Sequence, residues 1–551
     1  MLFIIFVLRI TVMYKSIYKA FFQKNPKEIF FFSALGLITG LVNAYLIMFI
    51  NQLIQKMIVG EHIFVIYSSL VFLSVVACFF LLKKMLFTKI THFTQRSLLQ
   101  IRAEMLRLIL QSEYPNVNER KELIYNVLTR DIDVIASAGT ALSEFISSLV
   151  LVLGCFCYVA YISPVLFLTT LAIFGVGVLL YYYNLKFTLQ VYQRVKGLND
   201  RFIFYFNQII SGFREIKVAK EKGLDLEENY VKENLKELHD ELVKVGAKNV
   251  NVHFIGIAIF YLFIGGILLL GIPVFHLSKE QLIPFAFVML YVISPIESLI
   301  VNLPAIGDAD VASERLLNLR VTLQDSIPCD VPVDYDFEGQ NFLSLELVDV
   351  KFQHKSPSNQ FEVGPVSLQL NAGELTFIHG SNGSGKTSLL LCLLGVYKFD
   401  SGTMLINKKP LSGNHSTLFS PVFSDYFLFD LFYGNKYFNR DKAAFYIQLF
   451  ELENKVRVSE LGFSTIKLSM GQRKRLALIQ ILLENKPIVV LDEWAADQDP
   501  YFREKFYSII LPILKKEGKT IIAITHDDKY FHLADHLLKM EFGKLFSSKI
   551  L

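Results

Sequence analysis

Hydrophobic positions fall into two regimes along the chain. Before about residue 305 they form long unbroken runs. After about residue 342 they form short β-like runs separated by polar turns, the pattern of an α/β domain. A helix rises about 1.5 Å per residue, so roughly 20 apolar residues cross the hydrocarbon core of a bilayer. Six runs reach that length, approximately 29–50, 63–82, 142–162, 165–183, 253–275 and 282–303. The connections near 51–62, 163–164 and 276–281 are short, and those at 83–141 and 184–252 are long. The long ones keep helical spacing at 93–113, 200–215 and 225–245. This predicts membrane helices prolonged into water and turned at their tips.

The helical pattern of Asp310–Leu323 is broken by Ser326-Ile-Pro-Cys-Asp-Val-Pro332 and acidic sequence after it. Four intervals result: an N-terminal segment 1–28, a six-helix transmembrane domain 29–310, a linker 311–342 and an α/β domain 343–551. Met1–Met13 is apolar but interrupted by Arg9, without the small-residue cleavage site of a signal peptide. A start at Met13 is an alternative to Met1. Residues 14–27 read as an amphipathic segment on the inner membrane surface.

Composition supports the division. Of 551 residues 53% are hydrophobic and 19% charged, against about 25% charged in soluble chains. Charge assigns the sides. The first long connection carries Lys83, Lys84, Lys89, Arg96, Arg102 and Arg107, and the second Lys186, Arg194, Arg201, Lys217, Lys220 and Lys222, among others. The short loops offer only Lys56 and Lys279. Positive residues stay inside, which predicts cytoplasmic termini, long connections and C-terminal domain. The net charge of +4 includes no basic, aromatic-interleaved tract, so no nucleic-acid partner is expected. Cys78, Cys155, Cys157, Cys329 and Cys392 form no CxxC pair and read as small buried hydrophobes.

The chemistry sits in the second regime. Gly380-Ser381-Asn382-Gly383-Ser384-Gly385-Lys386-Thr387 lies between a β-rich run, Leu375–His379, and a helix-forming run, Thr387–Leu394. Such a loop wraps phosphates with backbone N–H groups at a helix N-terminus, and Ser388 adds to the first turn. Lys386 reaches the β- and γ-phosphates of ATP, and Thr387 ligates Mg²⁺. Pro487–Glu493 is an apolar run ending in acids. Asp492 is placed to hold Mg²⁺ through water, and Glu493 to act as general base or to orient the attacking water. Taken alone, that strand is as consistent with a structural carboxylate. Ser469-Met-Gly471-Gln472 opens a basic helix and forms a second anion site. Thr525-His526 ends a further β run.

In this order the motifs resemble those of ATP-binding cassette (ABC) transporters, and the resemblance covers the whole chain. It implies a six-helix membrane domain of the type IV exporter kind fused to an α/β P-loop nucleotide-binding domain. It also implies a homodimer with two composite ATP sites. Ser469, Gly471 and Gln472 would close over the γ-phosphate held by a second copy, Asp497 would lie near the partner's site, and His526 would be the switch histidine. Leu491-Asp-Glu-Trp494-Ala-Ala-Asp497-Gln-Asp-Pro500, Phe361–Pro365 and Phe423–Asp430 look like the branch of bacterial cyclic-peptide and siderophore-precursor exporters, pyoverdine-type and microcin-type.

Two positions depart from the family's pattern. Ser424 stands where a Gln usually contacts Mg²⁺ and water, so a water or Asp425 would have to fill the gap. The adenine-stacking Tyr is replaced by His354, with Phe352 beside it; the alternative is an ordinary strand residue. Asn43, His253, Glu297 and Asn302 are polar exceptions within the spans. Glu297 follows Pro295, where a kink would open a cavity, and reads either as a counter-charge for cationic cargo or as a helix–helix hydrogen-bond partner. The expected function is ATP-driven export of a peptide-like compound across the bacterial cytoplasmic membrane. The alternatives are a multidrug or lipid exporter, and an ATP-gated regulator or channel.

Overall fold

A computed structural model describes residues 26–59, 65–327, 342–356, 359–410, 416–434 and 438–548. The N-terminal segment before residue 26 and linker residues 328–341 lie outside these. The chain forms two compact units, residues 1–104 with 125–319, and residues 105–124 with 320–551.

The first unit is helical. Its long elements are α1 (Pro26–Val59), α2 (Val65–Gln111), α4 (Lys121–Ile162), α5 (Pro164–Ser211), α7 (Lys220–Leu270) and α8 (Lys279–Asp325), and α6 (Phe213–Val218) is short; the short α3 (Tyr114–Glu119) falls in the second unit. Among the described residues, six helices are long and apolar enough to cross a membrane. Most overrun their apolar windows because the charged flanks keep helical periodicity. The fifth span is the exception and ends at Leu270, short of residue 275. Gly271 still donates to Ile267, Pro273 has no N–H to continue the ladder, and the chain goes on as turns in which Val274 donates back to Leu270. Helix α8 runs unbroken through Pro284, Pro295 and Pro304.

Lipid gives helices no hydrophobic reason to associate, so close backbone contact must hold them. Helix α1 meets α4 at small residues. A Cβ at Gly40 would lie 2.7 Å from the Val150 side chain and 3.2 Å from the Ser147 carbonyl oxygen, with no room to move. Helices α5 and α7 are tied by Asn184, whose Nδ2 donates to Asn249 Oδ1 at 2.8 Å. Cys155 is buried as expected, whereas Cys78 on α2 and Cys157 on α4 are exposed. Their apolar surroundings are therefore not the protein's own core.

The second unit contains two sheets. Strands β1 (Ser344–Ser356), β2 (Asn359–Asn371), β4 (Ser401–Ile406) and β5 (Lys409–Pro410) form an antiparallel sheet in the order β2-β1-β4-β5. A six-stranded sheet has the order β10-β9-β3-β8-β7-β6, built from β3 (Leu375–His379), β6 (Phe419–Val422), β7 (Ile488–Asp492), β8 (Thr520–Ile524), β9 (His536–Glu541) and β10 (Lys544–Ser547). All its pairs are parallel except β10 with β9. Every residue of β7 and β8 is buried, as unbroken apolar runs in a sheet covered on both faces require. Alternation sorts them. Val489, Leu491, Ile521 and Ala523 face one core with Leu476, Trp494 and Phe506, and Ile488, Val490, Ile522 and Ile524 face the other with Leu389 and Leu393.

The tip around α3, read from the sequence as part of 29–310, belongs to this second unit. Lys398 Nζ lies 2.6 Å from Glu113 Oε1, and the Tyr114 ring meets that of Tyr397.

Candidate ATP site

Ligands of parallel α/β sheets sit beyond the carboxyl ends of the strands. The predicted site residues follow that rule, leaving β3 (Gly380–Thr387), β6 (Ser424), β7 (Asp492, Glu493) and β8 (Thr525, His526).

The phosphate loop needs glycine at two points. Gly380 has φ 150°, and a Cβ there would lie 2.2 Å from the Met540 carbonyl oxygen. Gly385 has φ 103° and opens α9 (Lys386–Leu393). Ser381, Asn382 and Gly383 are exposed, while Ser384 and Lys386 are buried. The Lys386 ammonium folds back over the loop, donating to the carbonyl oxygens of Gly380 at 2.9 Å and Ser381 at 3.0 Å. Among the described residues the buried Ser384 hydroxyl has no hydrogen-bond partner. A glycine cradle with a cation above it and a spare hydroxyl beside it fits a polyphosphate. Thr387 and Ser388 fill the first turn of α9.

Thr387 Oγ1 donates to Asp492 Oδ2 at 3.4 Å, and the Ser424 backbone N–H and hydroxyl also hydrogen-bond that carboxylate. Burial lifts the Asp492 carboxyl above its usual range. The adjacent Glu493 adds to this, and the Thr387 and Ser424 hydrogen bonds oppose it. A buried carboxylate with two hydroxyl side chains around it suits a hard divalent cation.

Glu493 adopts a left-handed backbone, φ 48°, uncommon for a residue with a Cβ. Its N–H donates to Ile524 O at 3.1 Å, tying the end of β7 to β8. Its carboxylate Oε1 lies 3.3 Å from His526 Nε2, so the two predicted catalytic residues meet.

Ser469 occupies the N-cap position of α10 (Met470–Leu483) without a capping side-chain hydrogen bond, leaving the first-turn N–H groups of Gly471 and Gln472 at the helix end. Gly471 lies close against Asp497, where a Cβ would come within 2.9 Å of that residue's carbonyl oxygen. The join is made by Lys474, a buried residue that the motif reading passes over as part of a basic run. Its ammonium donates to Glu493 O at 2.9 Å and Asp497 Oδ2 at 2.7 Å. Arg475 does the same one residue on, with Gln498 Oε1 at 2.8 Å and Asp499 Oδ2 at 2.9 Å. Basic residues facing the acids of the Asp492–Asp499 segment were the available signal, but only folding shows which pairs form.

On the adenine side, Phe352 stacks on Tyr397 at 5.0 Å and 7°. The backbone of His354 lies in β1 opposite Phe361; its side chain lies outside the described residues. In the helical unit, His253 Nε2 on α7 is 3.9 Å from Glu297 Oε1 on α8. Asn302 donates to Glu144 Oε2 at 3.3 Å, and Tyr291 donates to Asn43 Oδ1 at 3.3 Å. Each polar exception thus has a polar neighbour on another helix.

Comparison with known proteins agrees with this geometry. Residues 363–496 match the ABC transporter family, and residues 29–296 match the ABC transporter transmembrane region. The chain is 30% identical over 560 aligned residues to the ATP-binding protein SyrD of Pseudomonas syringae pv. syringae, covering 97% of this chain and 96% of the relative. It is 26% identical over 294 residues to a putative export ATP-binding/permease protein of Rickettsia felis, covering 50% and 49%. It is 29% identical over 255 residues to ABC transporter C family member 9 of Arabidopsis thaliana, covering 46% of this chain and 17% of the relative. With a membrane-spanning region and an ATP-hydrolysing cassette in one polypeptide, the chain belongs to the ABC transporter family of exporters.

Proposed function

We propose that this ABC exporter works as a homodimer in the bacterial cytoplasmic membrane, moving a peptide-like compound outward with termini and cassettes inside. The supporting observation is the convergence of the phosphate loop, Asp492, Glu493 and His526 at one sheet edge. Gly380–Ser388 cradle the phosphates of ATP, with Lys386 on their outer oxygens and His354 beside the adenine. Ser469, Gly471, Gln472 and Asp497 face the nucleotide of a second copy. Glu493 accepts a proton from the attacking water or orients it, and His526 holds Glu493 and the terminal phosphate in register. Thr387, Asp492 and Ser424 would hold Mg²⁺, which when bound would offset charge on the phosphates. The intervals 1–28, 29–310, 311–342 and 343–551 serve as interfacial segment, pathway, linker and motor. The Leu491–Pro500 sequence favours the peptide-exporting branch.

The Mg²⁺ assignment has a thermodynamic signature. A carboxyl whose folded pKa is raised binds its proton more readily in the native state than in the unfolded chain. Its contribution to stability is therefore greatest at low pH and falls as pH rises through the raised value. At neutral pH the buried charge costs stability, and a cation offsets that cost. Mg²⁺ with nucleotide is expected to raise the unfolding temperature of the wild type, and Asp492→Asn to lose at least half of that increase. An equal shift in both would remove Asp492 from the metal site.

Glu297 bears on cargo. If it serves as counter-charge, Glu297→Gln in proteoliposomes lowers ATPase stimulation by cationic cyclic peptides about five- to tenfold, and leaves stimulation by neutral ones unchanged. Equal loss for both would make Glu297 a helix–helix partner only. Uptake into inverted vesicles tests the export reading itself. ATP hydrolysis without accumulation of any peptide in the panel would refute peptide cargo, and ion leakage gated by ATP would indicate a channel.

A further inference from the structure

The helix after the Asp492–Asp499 segment, Pro500–Lys505 continued by a π turn at Phe506–Ile510, carries Arg503 and Tyr507. Four residues apart, they share a face. Both reach the strand end that bears His526. The Tyr507 hydroxyl lies 2.6 Å from Thr525 Oγ1 and donates to Asp527 Oδ2 at 2.8 Å. With its one proton committed to Asp527, it accepts from Thr525. Thr525 Oγ1 in turn accepts from the Asp527 N–H at 3.1 Å. The residues on either side of His526 are thus locked to one phenol. Burial pushes the Tyr507 hydroxyl above its usual range, so it stays a donor at any working pH.

Arg503 holds the same segment and another. Its Nη1 pairs with Asp527 Oδ1 at 3.3 Å, while Nη2 donates to the carbonyl oxygens of Ala496 at 3.1 Å and Gln498 at 3.3 Å. Those carbonyls flank Asp497. One guanidinium therefore joins the loop carrying Asp497 to the loop carrying His526. A planar fork suits three such acceptors; an ammonium would hold them less firmly.

We propose that Arg503 and Tyr507 are positioning residues for ATP hydrolysis: they fix the Thr525–Asp527 segment against the Ala496–Gln498 loop so that His526 keeps its place beside Glu493. The same link lets a displacement of Asp497 by a second copy reach His526. This rests on the reading of His526 and Glu493 given above.

Tyr507 also has a packing role, its ring stacking on Tyr530 at 4.2 Å and meeting Phe377 edge-on at 5.9 Å. Tyr507→Phe keeps the ring and removes only the hydroxyl. In full-length protein in nanodiscs, Tyr507→Phe should lower kcat for ATP about tenfold, with KM for ATP within twofold and the unfolding temperature within a few degrees of wild type. Arg503→Gln should do the same, and Arg503→Lys should recover part of the loss. In a His526→Ala background, Tyr507→Phe should cause no further fall, because residues acting through one group are not additive. Wild-type kcat in Tyr507→Phe would overturn the proposal, as would a loss that multiplies with His526→Ala or one that follows a drop in unfolding temperature. If His526→Ala alone hydrolyses ATP at the wild-type rate, the reading of His526 fails first. If it is slow and Tyr507→Phe is not, only the proposed link fails.

Discussion

Glu493→Gln is expected to reduce ATP turnover about 10²- to 10⁴-fold, the range for losing a general base, while leaving nucleotide affinity nearly unchanged. The amide keeps the shape of the carboxylate. It also keeps the backbone contacts that place the residue, the N–H to Ile524 and the carbonyl to Lys474, because neither involves the side chain. What it loses is the negative oxygen 3.3 Å from His526 Nε2. Phosphate release by full-length protein reconstituted in lipid measures the effect, with nucleotide binding measured in parallel. Turnover within a few-fold of wild type would mean that another group activates water. A parallel fall in affinity would mean that the substitution disturbed the fold. The left-handed backbone at Glu493 costs free energy and persists because its neighbours hold it, so its side chain is aimed before nucleotide arrives.

Trp494→Ala should destabilise the second unit by about 3–5 kcal/mol, the usual cost of emptying a large aromatic site. Trp494 is the only tryptophan in the chain. It is 1% exposed and packs on Phe506 at 4.3 Å, with Phe450 and Phe502 farther out. Its Nε1 donates to the Lys474 carbonyl oxygen at 2.9 Å. The truncation opens a cavity and orphans that carbonyl next to the lysine that grips Glu493 and Asp497. Calorimetry of the full-length protein should show the cassette transition lowered by roughly 10 °C, at about 2–4 °C per kcal/mol for a unit of this size. Trp494→Phe should recover most of the loss but not the hydrogen bond, leaving about 1 kcal/mol. A melting temperature for Trp494→Ala within 2 °C of wild type would show that the pocket closes over the gap. Trp494 thus acts as a buried anchor for the Asp492–Asp499 segment.

Short-range rules made much of the molecule legible in the sequence. Span number follows from run length, because a bilayer demands about 20 apolar residues of helix. The phosphate loop follows from glycine spacing, because a side chain at Gly380 would collide with Met540. Strands β7 and β8 follow from apolar runs that only a doubly covered sheet accommodates. The meeting of Asp492, Glu493 and His526 follows once the sheet is parallel, since each stands at a strand's carboxyl end. The tertiary structure alone decided the supports of the site. Lys474 binding both Glu493 and Asp497, Arg503 and Tyr507 bracketing His526, and Phe352 stacked on Tyr397 all join residues without a fixed spacing. Hydrogen bonds and ring contacts of that kind depend on which helix faces which strand, and sequence periodicity gives a residue's face but not its opposite number.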